Sequence, residues 1–357
     1  MGLTTALIGS RGDRARDTRT NDQALATLMV AYGRQMALYQ ACYPDIAETT
    51  ALELALADTM WRGFYETFSR LADEYDVYLT AATLAPVIQV STSEGLIAWL
   101  GDPDLEAQSQ VYLPVGSEVY NTAYLFDPDG QIVGLTRKVH LPPDEGEGEV
   151  TLNLARGSLE QVRVYQTPMW RVGLAICLDA FQDSYLEQLE VQGASIVVQP
   201  SWNNGMWANE GELWQPEDWL GLTLGSIRGD YPSLQYNINT MITGNLFDMV
   251  VDGQSAITRK ATEAPVERYV GLDAISDWRG SFEALAPWTM EDPGLIDPTL
   301  SLDDRRAHLG AVALRLPLDR LKLHRLGVGD EALGVKVEQS HVLQAAHARQ
   351  RHIQLSR

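Results

Sequence analysis

Three residue types in this chain stand where acyl chemistry could use them. Cys177 ends the apolar run RVGLAIC and is followed by Leu178 and Asp179. The run reads as a β-strand, and the residues after it as the entry to a helix. A thiol at such a corner sits beside unpaired backbone N–H groups. Those groups favour the thiolate and can also receive an oxyanion. The competing assignment is an inert, buried cysteine. Lys138 closes a second β-rich run, IVGLTRKV. A desolvated ammonium there is a strong partner for developing negative charge, whereas an exposed strand-end lysine would do nothing. Glu145, Glu147 and Glu149 alternate with glycines shortly afterwards. Most of that loop must be solvated acidic surface, but one of the three could face Lys138.

The elements that must position these residues are legible as two rhythms. Residues 1–20 are polar and read as a loop. Asn21 or Asp22 can cap a helix running through LATLMVAYGRQMALYQ, which Pro44 ends. A second helix fits Thr49 to Glu74. Leu52, Leu56, Trp61, Phe64, Tyr65, Phe68 and Leu71 recur there on one helical face. Short β-rich runs then take over at 77–83, 120–127, 132–139, 162–166, 171–177, 195–200, 239–247, 255–260 and 310–317. Asp127-Pro128-Asp129-Gly130 turns the chain between two of them and makes 120–139 a hairpin. Helices fit 183–193 and about 217–229. Strands outnumber helices, which predicts packed sheets with helices outside them and not a doubly wound sheet. The acidic, proline-bearing stretch 262–308 reads as a surface excursion, and residues 326–357 as a C-terminal tail after a 1–325 domain.

Composition narrows the class. The chain has 357 residues, 45% hydrophobic and 21% charged, as in soluble globular proteins. Its 27 basic and 48 acidic residues give a net charge of −21, which repels phosphate backbones and argues against nucleic-acid partners. Two cysteines cannot make a disulfide scaffold, and six scattered histidines form no structural zinc pattern. No apolar run has the roughly 20 residues a membrane span needs. The start MGLTTALIGSRGDRARD does not read as a signal peptide, so a cytoplasmic location is expected.

Taken in order, Asn121 in YNTAYLFDPDGQIVG, then RKVHLPP, a glutamate, RGSLEQVRVYQTPMWRVGLAICLDAF, GASIVVQPSWNN and TGNLFDMVVDGQSAI resemble the nitrilase (carbon–nitrogen hydrolase) superfamily. The similarity covers about residues 77 to 260, with a closing strand at 310–317. It implies an αββα sandwich with the site at strand ends. By resemblance Cys177 is the nucleophile, and Lys138 and the backbone N–H of Leu178 stabilise the oxyanion. The glutamate that orients Lys138 lies a few residues before the glycine matched by Gly157. Glu149 fits best and Glu147 is the alternative. Trp202 and Asn203 match positions that shape the substrate pocket, and His140 is assigned a structural role. Trp202, Trp207, Trp214 and Trp219 lie close together and serve either as an aromatic wall over the substrate or as a packed interface.

The family also has a first strand, a helix and a second strand ending in Pro-Glu, whose glutamate is the general base. The first residues of this chain resemble the family segment just past that Pro-Glu. The first strand–helix–strand, about 40 residues by element lengths, is therefore expected to be lacking, and Glu48 and Glu53 are poor substitutes for the base. The expected activity is amide hydrolysis through a Cys thioester, with no metal or cofactor. A nitrile substrate is disfavoured because Leu178 follows the cysteine, where nitrile-cleaving relatives tend to have Trp. The alternatives are acyl transfer to an amine, or a catalytically impaired binding or scaffold protein. The expected partners are a small-molecule amide or nitrile and further copies of the chain, with no nucleic acid and no membrane.

Overall fold

The computed structural model describes residues 7, 9–105, 107–146, 151–203, 215–227, 229–242, 244–251, 253–260 and 280–285. The chain divides into Met1–His324 and Arg325–Arg357. The second unit lies outside the described residues, as do the expected strand at 310–317 and most of 262–308.

Helices come first: α1 Gly9–Arg16, α2 Asn21–Ala31, α3 Gly33–Cys42, α4 Glu48–Ala55, α5 Ala57–Trp61, a π turn Arg62–Glu66, and α6 Thr67–Tyr75. The loop expected over residues 1–20 is thus helical from Gly9. Burial of Gly12 and Ala15 supplies the stability that the polar sequence lacks. The single helix expected from Asn21 breaks at Tyr32, directly before Gly33, where a glycine weakens helix continuation. Its cap is Thr20, whose side chain accepts from the Gln23 amide. Asn21 instead donates to the Leu246 carbonyl and the Asp248 carboxylate. The helix expected over 49–74 is present in pieces, bent at Leu56 and at the π turn.

Eleven strands come next among the described residues. They are β1 Leu79–Ser91, β2 Val111–Phe126, β3 Ile132–Arg137, β4 Val164–Gln166, β5 Arg171–Leu174, β6 Ile196–Ser201, β7 Tyr236–Met241, β8 Gly244–Leu246, β9 Met249–Val251, β10 Ala256–Lys260 and β11 Gly280–Leu285. Helices α7 Glu94–Leu100, α8 Asp183–Val191 and α9 Gln215–Gly225 interrupt them. The first sheet has the order β1-β2-β3 and the second β11-β10-β7-β6-β5-β4. In the second, β5-β6-β7 are parallel and the outer pairs antiparallel. Strands β1 and β2 run well beyond the sequence expectation. Strand β11, inside the expected surface excursion, pairs with β10 and extends the second sheet. Helix α9 begins and ends a little earlier than expected.

Alternation along the strands builds the layers. Tyr124 and Phe126 of β2 face the helices, against Trp61, Phe64 and Phe68. Ala123 and Leu125 point the other way and meet Val172, Leu174 and Ile176 at β5. Ala175 and Val197 leave the far side of the second sheet and pack under Tyr185, Leu186 and Leu189 of α8. Helix, sheet, sheet and helix therefore stack as expected, in a mixed α/β fold. Among the described residues no helix is long and apolar enough to cross a membrane.

Candidate active site

The site forms where β3 and β5 end on the facing sheets. Strand β5 stops at Leu174, and Cys177 opens a 3-10 turn, Cys177–Phe181, instead of entering an α-helix directly. Cys177 has φ of 51°, in the left-handed region. A side chain held there costs of order 1–3 kcal/mol and must be fixed by its surroundings. Gln199 does part of this, donating from Nε2 to the Cys177 carbonyl at 3.1 Å. Gln199 is itself held by Asn237 Nδ2 at 2.9 Å, and Asn239 Nδ2 ties the Gln199 carbonyl and Ser201 Oγ. These amides sit inside buried strands, so the floor of the site is a hydrogen-bonded polar layer.

Lys138 directly follows β3 and is 1% exposed. A buried ammonium must be paired. Its Nζ donates to both carboxylate oxygens of Glu145, at 2.9 and 2.8 Å. Asn121 Nδ2 reaches the same carboxylate at 3.5 Å. Lys138 is fixed through its backbone too: its N–H donates to the Asn121 carbonyl, and Gly157 N–H donates to its carbonyl, both at 2.8 Å. A Cβ on Gly157 would lie 2.3 Å from the Arg137 carbonyl oxygen, so only glycine allows this approach.

Cys177 and Lys138 are brought together electrostatically. Burial is the largest influence on the thiol and pushes its pKa up. The Lys138 ammonium opposes it, Glu145 adds to it, and backbone hydrogen bonds from Trp202 and Leu178 lower it; the balance remains above the ordinary thiol value. Burial and the Glu145 carboxylate thus oppose the thiolate that the corner position favours, and the Lys138 ammonium supports it. The Cys177 Sγ–H points to the Trp202 carbonyl at 3.8 Å.

Leu178 and Trp202 thus border the sulfur. Asn203 comes next, with its Nδ2 buried and without a hydrogen-bond partner among the described residues. Glu149 and Glu147 lie outside the described residues, as do Trp207 and Trp214. Trp219 lies on α9, where its ring packs on Phe181 and its Nε1 donates to Asn239. Asp179, quoted in the sequence only as part of the cysteine segment, is fully buried and ties the turn to Val139 and His140. The signal for it was a charged residue two positions after a buried thiol. The signal for Gln199, Asn237 and Asn239 was an amide within a β-branched run.

The Carbon-nitrogen hydrolase family profile matches residues 55–306. Omega-amidase NIT2 of Mus musculus, like that of Homo sapiens, is 30% identical over 107 residues, 27% of this chain and 38% of that protein. Citrullinase of Francisella tularensis is 31% identical over 86 residues, 24% of this chain and 29% of that protein. The chain spans less than two-fifths of the length of these curated relatives. Among solved structures, a carbon–nitrogen hydrolase from Helicobacter pylori G27 is 20% identical, with 56% of this chain and 60% of that one covered and a TM-score of 0.41. With its family profile matched over more than half its length, the chain is a member of the carbon–nitrogen hydrolase family.

Proposed function

We propose that this chain is an amidase that works through an acylated Cys177. The observation that carries the reading is a strained, left-handed cysteine beside a buried, carboxylate-paired lysine. Sγ attacks the carbonyl carbon while its proton passes to a general base. The carbonyl electrons move onto oxygen, where Lys138 Nζ and the Leu178 N–H receive the charge. The C–N bond then breaks and the nitrogen leaves protonated by the same base. Water, deprotonated by that base, attacks the thioester, and the C–S bond breaks to return the thiol. The resemblance assigns the base to a glutamate in a strand ahead of the matched region. Burial raises the thiol pKa, so a base that takes the proton as the S–C bond forms assists the attack. By resemblance Trp202 and Asn203 shape the substrate pocket, and the lysine-orienting carboxylate is Glu145 by geometry or Glu149 by resemblance.

The relatives' names point to small amides and carbamoyl compounds as substrates. The assay is ammonia release from a panel of terminal carboxamides and N-carbamoyl compounds, with mass spectrometry of the quenched protein. Release of ammonia together with an acyl group on the Cys177 peptide is expected, and both vanish in Cys177→Ala. Ammonia release that survives Cys177→Ala sinks the mechanism. A chain inert to the whole panel favours the scaffold alternative. A cytoplasmic homo-oligomer is the working state we propose, checked by sedimentation and fractionation.

A further inference from the structure

We propose that Asp179 is a positioning residue that sets the Lys138 ammonium against the Cys177 sulfur. The inference rests on the assignment of those two residues above. Asp179 lies two positions after Cys177 in the same 3-10 turn and is 0% exposed. A buried carboxylate in a turn ordinarily accepts hydrogen bonds from its own turn. Here all the carboxylate's hydrogen bonds go to another segment. His140 N–H donates to Oδ1 at 2.8 Å and His140 Nδ1 meets Oδ1 at 2.9 Å. Val139 N–H reaches both oxygens at 3.2 Å. Val139 and His140 are the two residues after Lys138. One carboxylate thus locks the backbone leaving Lys138 onto the turn that carries Cys177, across a sequence gap of about 40 residues.

The rest of the surroundings fit a locating role. The Lys138 peptide is already held by Asn121 and Gly157 on one side, and Asp179 fixes the other. The charged and titratable groups that act on the carboxylate are His140, in contact, and Tyr185, whose ring meets the His140 ring at 6.3 Å; the Lys138–Glu145 pair begins one residue before Val139. With Nδ1 protonated, His140 serves as a third donor and needs no net charge.

The test reads the sulfur itself. Cys42 is the only other cysteine and is exposed, so Cys42→Ser leaves Cys177 as the single thiol. The iodoacetamide rate of the full chain against pH then gives the Cys177 pKa. Asp179→Asn keeps the shape and one acceptor oxygen but removes the charge. If Asp179 merely adds negative charge nearby, its loss lowers the thiol pKa and speeds alkylation at pH 7. If it positions Lys138, its loss lets the ammonium drift, raises the pKa and slows alkylation by about threefold to tenfold. The same substitution in a Lys138→Met background then has no further effect. His140→Gln, which removes only the ring contact, shifts the rate in the same direction by less and serves if Asp179→Asn does not fold. Unchanged or faster alkylation in the folded variant, or an equal slowing without Lys138, overturns the proposal. If Lys138→Met alone leaves the Cys177 pKa where it was, the assignment of Lys138 falls, and the inference with it.

Discussion

Two buried carboxyl groups lie in different layers of this protein and meet different fates. Asp179, at the junction of the sheets, has three N–H donors around it. Glu53, on α4 in the helical layer, has a buried Oε2 with no hydrogen-bond partner among the described residues. Burial raises the pKa of both. For Glu53 it raises the value to about 7. For Asp179 the hydrogen bonds from His140 and Val139 pull against burial. The helical layer is otherwise held by rings and by one well-satisfied carboxylate: Phe64 meets Phe68 at 5.0 Å and Tyr124 at 5.4 Å, Trp61 stacks on Tyr65 at 5.8 Å, and buried Asp58 accepts from Arg62, Gln108 and the Asp102 and Tyr112 amides. The contrast teaches that burial alone does not make a polar group useful. Asp179 and Asp58 are met by directional donors that tie separate segments together, whereas Glu53 is only packed around.

The contrast can be broken most severely at Lys138. Lys138→Met is expected to lower kcat/KM by about 10³-fold, the scale of removing one strong oxyanion donor, while circular dichroism stays native. A loss under tenfold would remove Lys138 from the chemistry. Phe64→Ala should do the opposite. Loss of about 3 kcal/mol of stability is expected in urea, with the alkylation rate of Cys177 in the folded molecule unchanged. Altered thiol reactivity there would mean that the two layers are not independent.

Glu53 sharpens the comparison through pH. The folded chain binds its proton more tightly than the unfolded chain, whose carboxyl keeps the ordinary 4.5. The stability it contributes is full below that value and is lost as pH rises through about 7. Glu53→Gln should therefore stabilise the fold at pH 8 relative to pH 5, by about 2 kcal/mol. An equal effect at both pH values would show that the carboxyl is solvated. The smallest effect separates the acidic loop residues. Glu145→Gln should reduce kcat/KM by about tenfold through a loosened Lys138, and Glu149→Gln by much less. The reverse ranking would favour the spacing from Gly157 over the observed ion pair.

The residues we propose for the chemistry were the most legible part of the sequence, because thiol and ammonium both stand at the ends of apolar runs. The partner of Lys138 was legible only as one of three, since EGEGE offers chemically equal carboxylates and only folded geometry chooses. The Asp179 clamp was hidden because two of its three donors are backbone N–H groups about 40 residues away, and backbone groups leave no mark on a sequence. The strands after Phe64 were readable from alternation and turn residues. The breaks at Tyr32 and Leu56 were not, because the apolar pattern continues through both. Strand β11 was masked by its acidic, proline-bearing flanks.

Strand β2 carries a size code with a consequence for assembly of the fold. Its small Ala123 and its Leu125 point between the sheets, and its rings, Tyr124 and Phe126, point at the helices. Next comes the turn at Asp127–Gly130, where Asp127 accepts from the Asp129 and Gln131 amides and Gly130 has φ of 71°. A slip by one position would thrust aromatic rings into a gap cut for a methyl group and leave the helices facing alanine. The hairpin therefore proofreads its own alignment, and a single-residue insertion between Asn121 and Phe126 should be far less tolerated than one beyond the turn.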